Sequence, residues 1–197
     1  MSKIALTPNA SGTGTFTIAA PNSNTDRTLT LPDEAGTVVT TGSYVAGITE
    51  ADIWRLTTSK SGDGDITSGL ERVDTYSQGT IGTGMTESSG VFSFPSTGLY
   101  LIIATGNFNN GGNDTADLAI QATTNNSTYQ TLAIGGVGLN STTVRGQNVT
   151  INALFDVTNI SNDKVKFNLS SMGSGTQANA DTNTNRTHFT FIRLGDT

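Results

Sequence analysis

Val91-Phe92-Ser93-Phe94-Pro95-Ser96-Thr97-Gly98-Leu99-Tyr100-Leu101-Ile102-Ile103-Ala104-Thr105 is the densest apolar run in this chain of 197 residues, and its reading decides the fold. Aromatic and β-branched residues crowd it, and turn residues bound it. Val91 to Phe94 alternates in part, Pro95 to Gly98 breaks the run, and Leu99 to Ala104 is almost unbroken. The pattern predicts two strands joined by a tight turn, the second strand buried on both faces. Pro95 presets φ at the second turn position, and Gly98 supplies a positive φ where the chain leaves the turn.

Composition extends this to the whole chain. Only 13% of residues are charged, and Thr, Ser, Asn and Gly carry the polarity instead. Thr suits a pleated surface while Asn and Gly suit turns, so the mix predicts an all-β chain. The net charge is −6 and the pI about 4.5, with no basic run, so nucleic-acid binding is not expected. There are no cysteines, which excludes disulfides and thiolate metal sites. No signal peptide and no apolar stretch of the ~18 residues a membrane helix needs is read, so membrane insertion is not expected.

Downstream of the central run, Ala116–Thr123 alternates, Asn125-Asn126-Ser127 reads as a hairpin turn, and Tyr129–Val137 as the return strand. Gly135, Gly136 and Gly138 are not followed by a helix pattern, so a bulge or turn is expected rather than a phosphate loop. Gln147–Val157 is a clean period-2 strand with Val149, Ile151, Ala153, Phe155 and Val157 on its apolar face. Lys164–Leu169 follows a turn at Asn159–Asp163, with both lysines predicted outward. Ser170–Arg186 reads as a long polar loop or exposed binding tip. Thr187–Leu194 closes the set and belongs in mid-sheet, where pairing ties a terminal strand down. Upstream, Asp52–Thr58 places Ile53 and Arg55 on one face and Trp54 and Leu56 on the other. Ser59–Gly69 is a loop whose Asp63 and Asp65 fall short of a calcium ligand set. About ten short strands with turns between them predict a two-sheet sandwich.

The paired phenylalanines Phe92 and Phe94, then Pro95, Gly98 and Tyr100, and the closing Phe189-Thr190-Phe191-Ile192-Arg193-Leu194, resemble the TNF-like jelly roll of complement globular heads. That resemblance spans Ile53 to Leu194 and implies an antiparallel jelly-roll head that assembles as a homotrimer. Trp54, Tyr100, Phe189 and Phe191 are the candidate residues of its core or subunit interface.

Residues 1–46 differ. Short strand-like pieces at Lys3–Thr7, Thr13–Ala19, Arg27–Leu31 and Thr37–Thr41 alternate with Pro- and Asn-rich turns. Phe16 and Ile18 share one face, as do Leu29 and Leu31, leaving apolar strips too narrow to close a core. Such an arm needs another surface, most simply copies of itself, so these four residues are the candidate oligomer interface of the arm. The pattern from Thr13-Gly14-Thr15-Phe16-Thr17-Ile18 through Arg27-Thr28-Leu29-Thr30-Leu31-Pro32-Asp33 to Gly36-Thr37-Val38-Val39 resembles a segment of bacteriophage tail-fibre and other virion fibre proteins. It covers about the first fifth of the chain and implies trimerisation too. Because it starts almost at Met1, a short fibre is expected rather than a long one.

Catalysis finds little to hold. His188 is the only histidine and lies in a strand pattern, and no nucleophile elbow, zinc-protease helix or Walker loop occurs. Asp114 with Asp117, or Glu71 with Asp74, are carboxylate pairs that glycosidase chemistry could use, but solvated surface groups are the simpler reading. The Asn-x-Ser/Thr triplets at Asn126, Asn140, Asn148, Asn159 and Asn168 follow from an Asn- and Thr-rich composition. The expectation is an all-β, non-enzymatic homotrimer without cofactor or metal: an extended arm over residues 1–46 and a two-sheet antiparallel jelly roll over residues 50–197. Its expected place is the surface of a phage particle made in the bacterial cytoplasm. The arm would hold other virion proteins, and the head would bind a host-surface glycan or protein. A capsid fibre or decoration protein, a glycan depolymerase and a stand-alone carbohydrate-binding module are the alternatives.

Overall fold

The period-2 patterns become, in the computed structural model, thirteen strands and no helix among the described residues. Those are residues 10–15, 17, 19, 22–26, 28, 30, 47–109, 113–140 and 146–197. The chain divides into two units, Met1–Thr40 and Thr41–Thr197. Of the first, the described residues show a turn at 10–11 and bends at 14, 22, 24 and 25; the bend at 14 falls in the predicted Thr13–Ala19 piece, and the others lie within or beside two of the predicted turn clusters. Thr15, Thr17, Thr28 and Thr30 are exposed and not in strands. Phe16, Ile18, Leu29 and Leu31 lie outside the described residues.

The second unit runs β1 (Ala51–Leu56), β2 (Lys60–Ser61), β3 (Gly64–Asp65), β4 (Leu70–Arg72), β5 (Thr86–Ser88), β6 (Val91–Ser93), β7 (Gly98–Asn109), β8 (Asn113–Thr123), β9 (Gln130–Asn140), β10 (Gln147–Val157), β11 (Lys164–Ser170), β12 (Gln177–Ala178) and β13 (His188–Gly195). The larger sheet has the order β2-β12-β7-β13-β1-β4, with β10 also paired to β7. The smaller has the order β5-β6-β11-β8-β9, with β3 beside β11. All these strand pairings are antiparallel, and consecutive strands repeatedly cross from one sheet to the other, as in a jelly roll. β13 sits between β1 and β7, so the terminal strand is tied down on both sides as expected.

One core lies between the sheets. Phe167 of the smaller sheet stacks on Phe189 of the larger at 3.7 Å and 9° between ring planes. Phe92 packs against Trp54, Phe167, Phe189 and Phe191, with centroids 5.2 to 6.4 Å apart. Phe94, Tyr100 and Phe155 form a second cluster. The edge-on pairs of Phe92 with Trp54, Phe167 and Phe189 add about 0.5–1.5 kcal/mol each beyond their burial.

Several expectations change. β6 and β7 do not pair: the first lies in the smaller sheet and the second in the larger. Pro95 to Gly98 is therefore a crossover between sheets, not a hairpin turn. Gly98 does take a positive φ, +134°, and a side chain there would meet the Gly195 carbonyl at 2.5 Å. The Tyr100 hydroxyl donates to the Ser96 carbonyl at 3.1 Å and fastens the corner. β7 is buried on one face and only half-buried on the other, and it runs on to Asn109. Gly135 and Gly136 are neither bulge nor turn but lie inside β9. Added Cβ atoms would stand 2.6 Å from the Ile151 side chain and 1.9 Å from the Asp117 carboxylate, so close packing requires the bare backbone. Lys164 turns back to the Ile160 carbonyl and is nearly buried, unlike Lys166. The Ser59–Gly69 loop carries β2 and β3, one for each sheet. The 170–186 segment is anchored in its middle by β12, with Thr176 and Asn179 buried.

Candidate functional site

The outer face of the larger sheet is where this unit departs from a self-sufficient sandwich. Register sets its rows. Ala51 stands opposite Ile192, Ile192 opposite Leu101, and Leu101 opposite Leu154, giving an apolar row across four strands. The next row is Ile53, Thr190, Ile103 and Asn152. The third is Arg55, His188, Thr105 and Thr150, with the two threonine hydroxyls 3.0 Å apart. Beyond it Asn179 donates to Asn107 at 2.7 Å and Asn107 to Asn148 at 2.6 Å. The face thus grades from apolar at one end to an amide ladder at the other.

Residues 73–85 wall the face beside β1. Ile81 exchanges two backbone hydrogen bonds with Ala51, and Val73 donates to the Ile53 carbonyl. Glu50 accepts the amides of Thr83 and Gly84, and Asp52 that of Met85. Asp52 is only 3% exposed. It also receives the Trp54 indole N–H at 2.8 Å, and Arg72 lies 3.3 Å away. Burial nonetheless raises its carboxyl above the ordinary 3.8, against those hydrogen bonds and the Arg72 charge, and Glu50 pushes the same way. Between this wall and the sheet is a groove of about 330 Å³, lined by Ala51, Asp52, Ile53, Gln78, Gly79, Ile81, Thr190 and Ile192.

On the opposite flank, β9 and β10 are edge strands that approach each other side by side. Leu154 of β10 and Ile134 of β9 are each 59% exposed, and Leu132 is exposed as well. Apolar groove and apolar ridge therefore lie on different patches of one chain.

A second feature stands on the wall. Tyr76 and Ser77 have φ of +54° and +63°. Gln78 N–H closes back on the Thr75 carbonyl at 3.1 Å, the pattern of a type I′ turn, whose two central positions normally hold Asn and Gly. Left-handed backbone costs a non-glycine residue about 1–2 kcal/mol. The turn is held from below: Arg55, 1% exposed, donates to Thr75 Oγ1 at 2.9 Å and is ion-paired to Glu71 at 2.5 Å. Asn185 donates to Gln78 Oε1 at 2.6 Å. Tyr76 is 81% exposed, more than any other large apolar or aromatic side chain among the described residues.

Of the predicted residues, Tyr100, Phe189 and Phe191 are fully buried between the sheets, and Trp54 packs half-buried against the same core. None of the four lies on the outer face. Of the carboxylate pairs considered for catalysis, Asp114 and Asp117 both lie on β8, and Glu71 of β4 is engaged by Arg55 while Asp74 follows just past that strand. Asp63 accepts the Met172 amide, and Asp65 accepts Lys166 and Asn168. Among the described residues no three His, Cys, Asp or Glu side chains cluster as metal ligands would. Leu154 had a visible signal: it is the one large apolar residue on the polar face of Gln147–Val157.

Compared with solved structures, the chain is similar to Eiger TNF from S. frugiperda, with a TM-score of 0.58 and 14% identity over 77% of this chain and 96% of that one. The fold is the TNF-like jelly roll. Murine APRIL is similar too, with a TM-score of 0.55 and 12% identity over 74% of this chain and 98% of that one. No protein-family model and no curated protein matches the sequence. The jelly-roll resemblance carried by Phe92 to Tyr100 and by Phe189 to Leu194 therefore holds for the fold.

Proposed function

We propose that this protein is a structural part of a bacteriophage particle, a homotrimeric fibre whose arm docks to other virion proteins and whose jelly-roll head binds the host surface. The observation that carries the trimer is the apolar groove at Ala51, Ile53, Ile81 and Ile192, left open in one chain, with a ridge at Leu132, Ile134 and Leu154 on another patch to cover it. Two different patches on one chain make a head-to-tail contact, which is finite only if it closes into a ring. A ring of three agrees with the implication of the TNF-like jelly roll and with that of the fibre-type segment at Thr13–Val39. That segment supports the virion assignment, and the head's role is binding rather than catalysis. Labelled antibody on intact virions tests the placement. Label at the tail supports a receptor-binding fibre, and label over the capsid supports the head-fibre or decoration form of the same trimer. Virions that carry none of the protein contradict both.

A further inference from the structure

We propose that the turn Thr75–Gln78 is a carbohydrate contact, with the Tyr76 ring as the platform on which a pyranose unit of a surface polysaccharide stacks. The inference rests on the reading of the head as the part that meets the host surface, and it names where. Two consecutive left-handed residues without a glycine are an arrangement the fold of the sandwich does not need, since Asn-Gly makes the same turn without strain. What the Tyr-Ser pair provides instead is an aromatic ring held clear of the surface at 81% exposure. The ring is aimed by a rigid base. Thr75 is fixed by the buried Arg55 guanidinium, Gln78 by Asn185, and the turn by its own Gln78-to-Thr75 bond. A rigid base spares a binding loop the entropy of ordering on contact.

The surroundings choose the ligand class. Residues 74–79 read Asp-Thr-Tyr-Ser-Gln-Gly, with no second large apolar side chain. A protein hot spot centres an aromatic residue among packed apolar neighbours. Here the exposed Asp74 carboxylate and Ser77 hydroxyl stand next to the ring in sequence instead. An apolar C–H face on the ring, with hydroxyls offered to a carboxylate, an alcohol and an amide, is the chemistry of a sugar.

The full-length protein carrying 3-fluorotyrosine tests this by fluorine NMR, since it has only four tyrosines, Tyr44, Tyr76, Tyr100 and Tyr129. Single Tyr-to-Phe variants assign the signals. The probes are the methyl glycosides of glucose, galactose, mannose, N-acetylglucosamine and rhamnose, titrated through the millimolar range. The expected result is a saturable shift of the Tyr76 signal with at least one glycoside, the buried Tyr100 signal staying fixed. Tyr76→Ala should weaken that glycoside at least about tenfold, measured by its own line broadening, with the protein's mass in solution unchanged. No saturable shift with any of the five, or shifts confined to Tyr129, overturns the proposal. So does a Tyr76 response to an apolar peptide alone, which would make the turn a protein contact. The mass and the virion labelling do not depend on Tyr76, so the trimeric-fibre reading and this one fail separately.

Discussion

Leu154 stands directly across from Leu101 on the outer face of the larger sheet, at the end of a row that also holds Ile192 and Ala51. Leu154 is 59% exposed, so a charge there barely disturbs the single chain. In a trimer closed over this face it would be buried without a partner. Leu154→Glu should convert the trimer to monomer while the far-ultraviolet circular dichroism stays that of a β-sandwich. Light scattering at matched concentration measures the first, and loss of the β spectrum would place Leu154 in the fold rather than the interface.

Gly98 holds the crossover from the smaller sheet to the larger. Its φ of +134° excludes ordinary side chains, and an added Cβ would meet the Gly195 carbonyl at 2.5 Å and Arg193 Nε at 2.7 Å. Gly98→Ala should destabilise by about 2 kcal/mol or more, read from the urea midpoint at fixed protein concentration.

Ser77 is the opposite case. Its φ of +63° suits glycine, and its side chain is exposed. Ser77→Gly should stabilise the protein by about 1 kcal/mol, a rise in melting temperature with no change in mass.

Two carboxylates give pH dependences of opposite sign. Burial raises Asp52 above 3.8 in the fold, so ionising it opposes folding. Its contribution is most favourable at or below 3.8 and declines as pH rises through the elevated value. Burial works against ionising Asp65 also, but hydrogen bonds from Lys166 and Asn168 and the Lys166 charge outweigh it, and its pKa falls below 3.8. That stability is present above 3.8 and is lost as pH falls through the lowered value. Asp52→Asn should remove a decline in stability on going from pH 4 to pH 7, and Asp65→Asn should remove a decline below pH 4. Urea titrations across pH check both slopes.

How much of this the sequence carried depended on the range of the forces involved. Gln147–Val157 is legible residue by residue, because alternation is local and one face is polar. Pro95-Ser96-Thr97-Gly98 announces a turn and a positive φ, but not that the flanking strands part company. That is decided by β6 pairing with β11, and β7 with β13 and β10, from far along the chain. β12 is two residues long, too short for any period, and is placed by its partners Phe108 and Asn109. The outer-face site was half legible. Ile53 and Ile192 fall on a face opposite the core in any period-2 reading, whereas the row they share with Leu101 and Leu154 exists only once the register is set. The Tyr76 turn left no signal, since Tyr-Ser is not a left-handed pair by composition.

The most direct test of the account is the mass of the full chain in solution by light scattering coupled to gel filtration. The apolar groove needs sister chains to cover it, so the account predicts a single species of three times the 20.4 kDa chain mass, stable on dilution. A stable monomer with the β-sandwich spectrum intact would contradict it, because the exposed face would then need no partner.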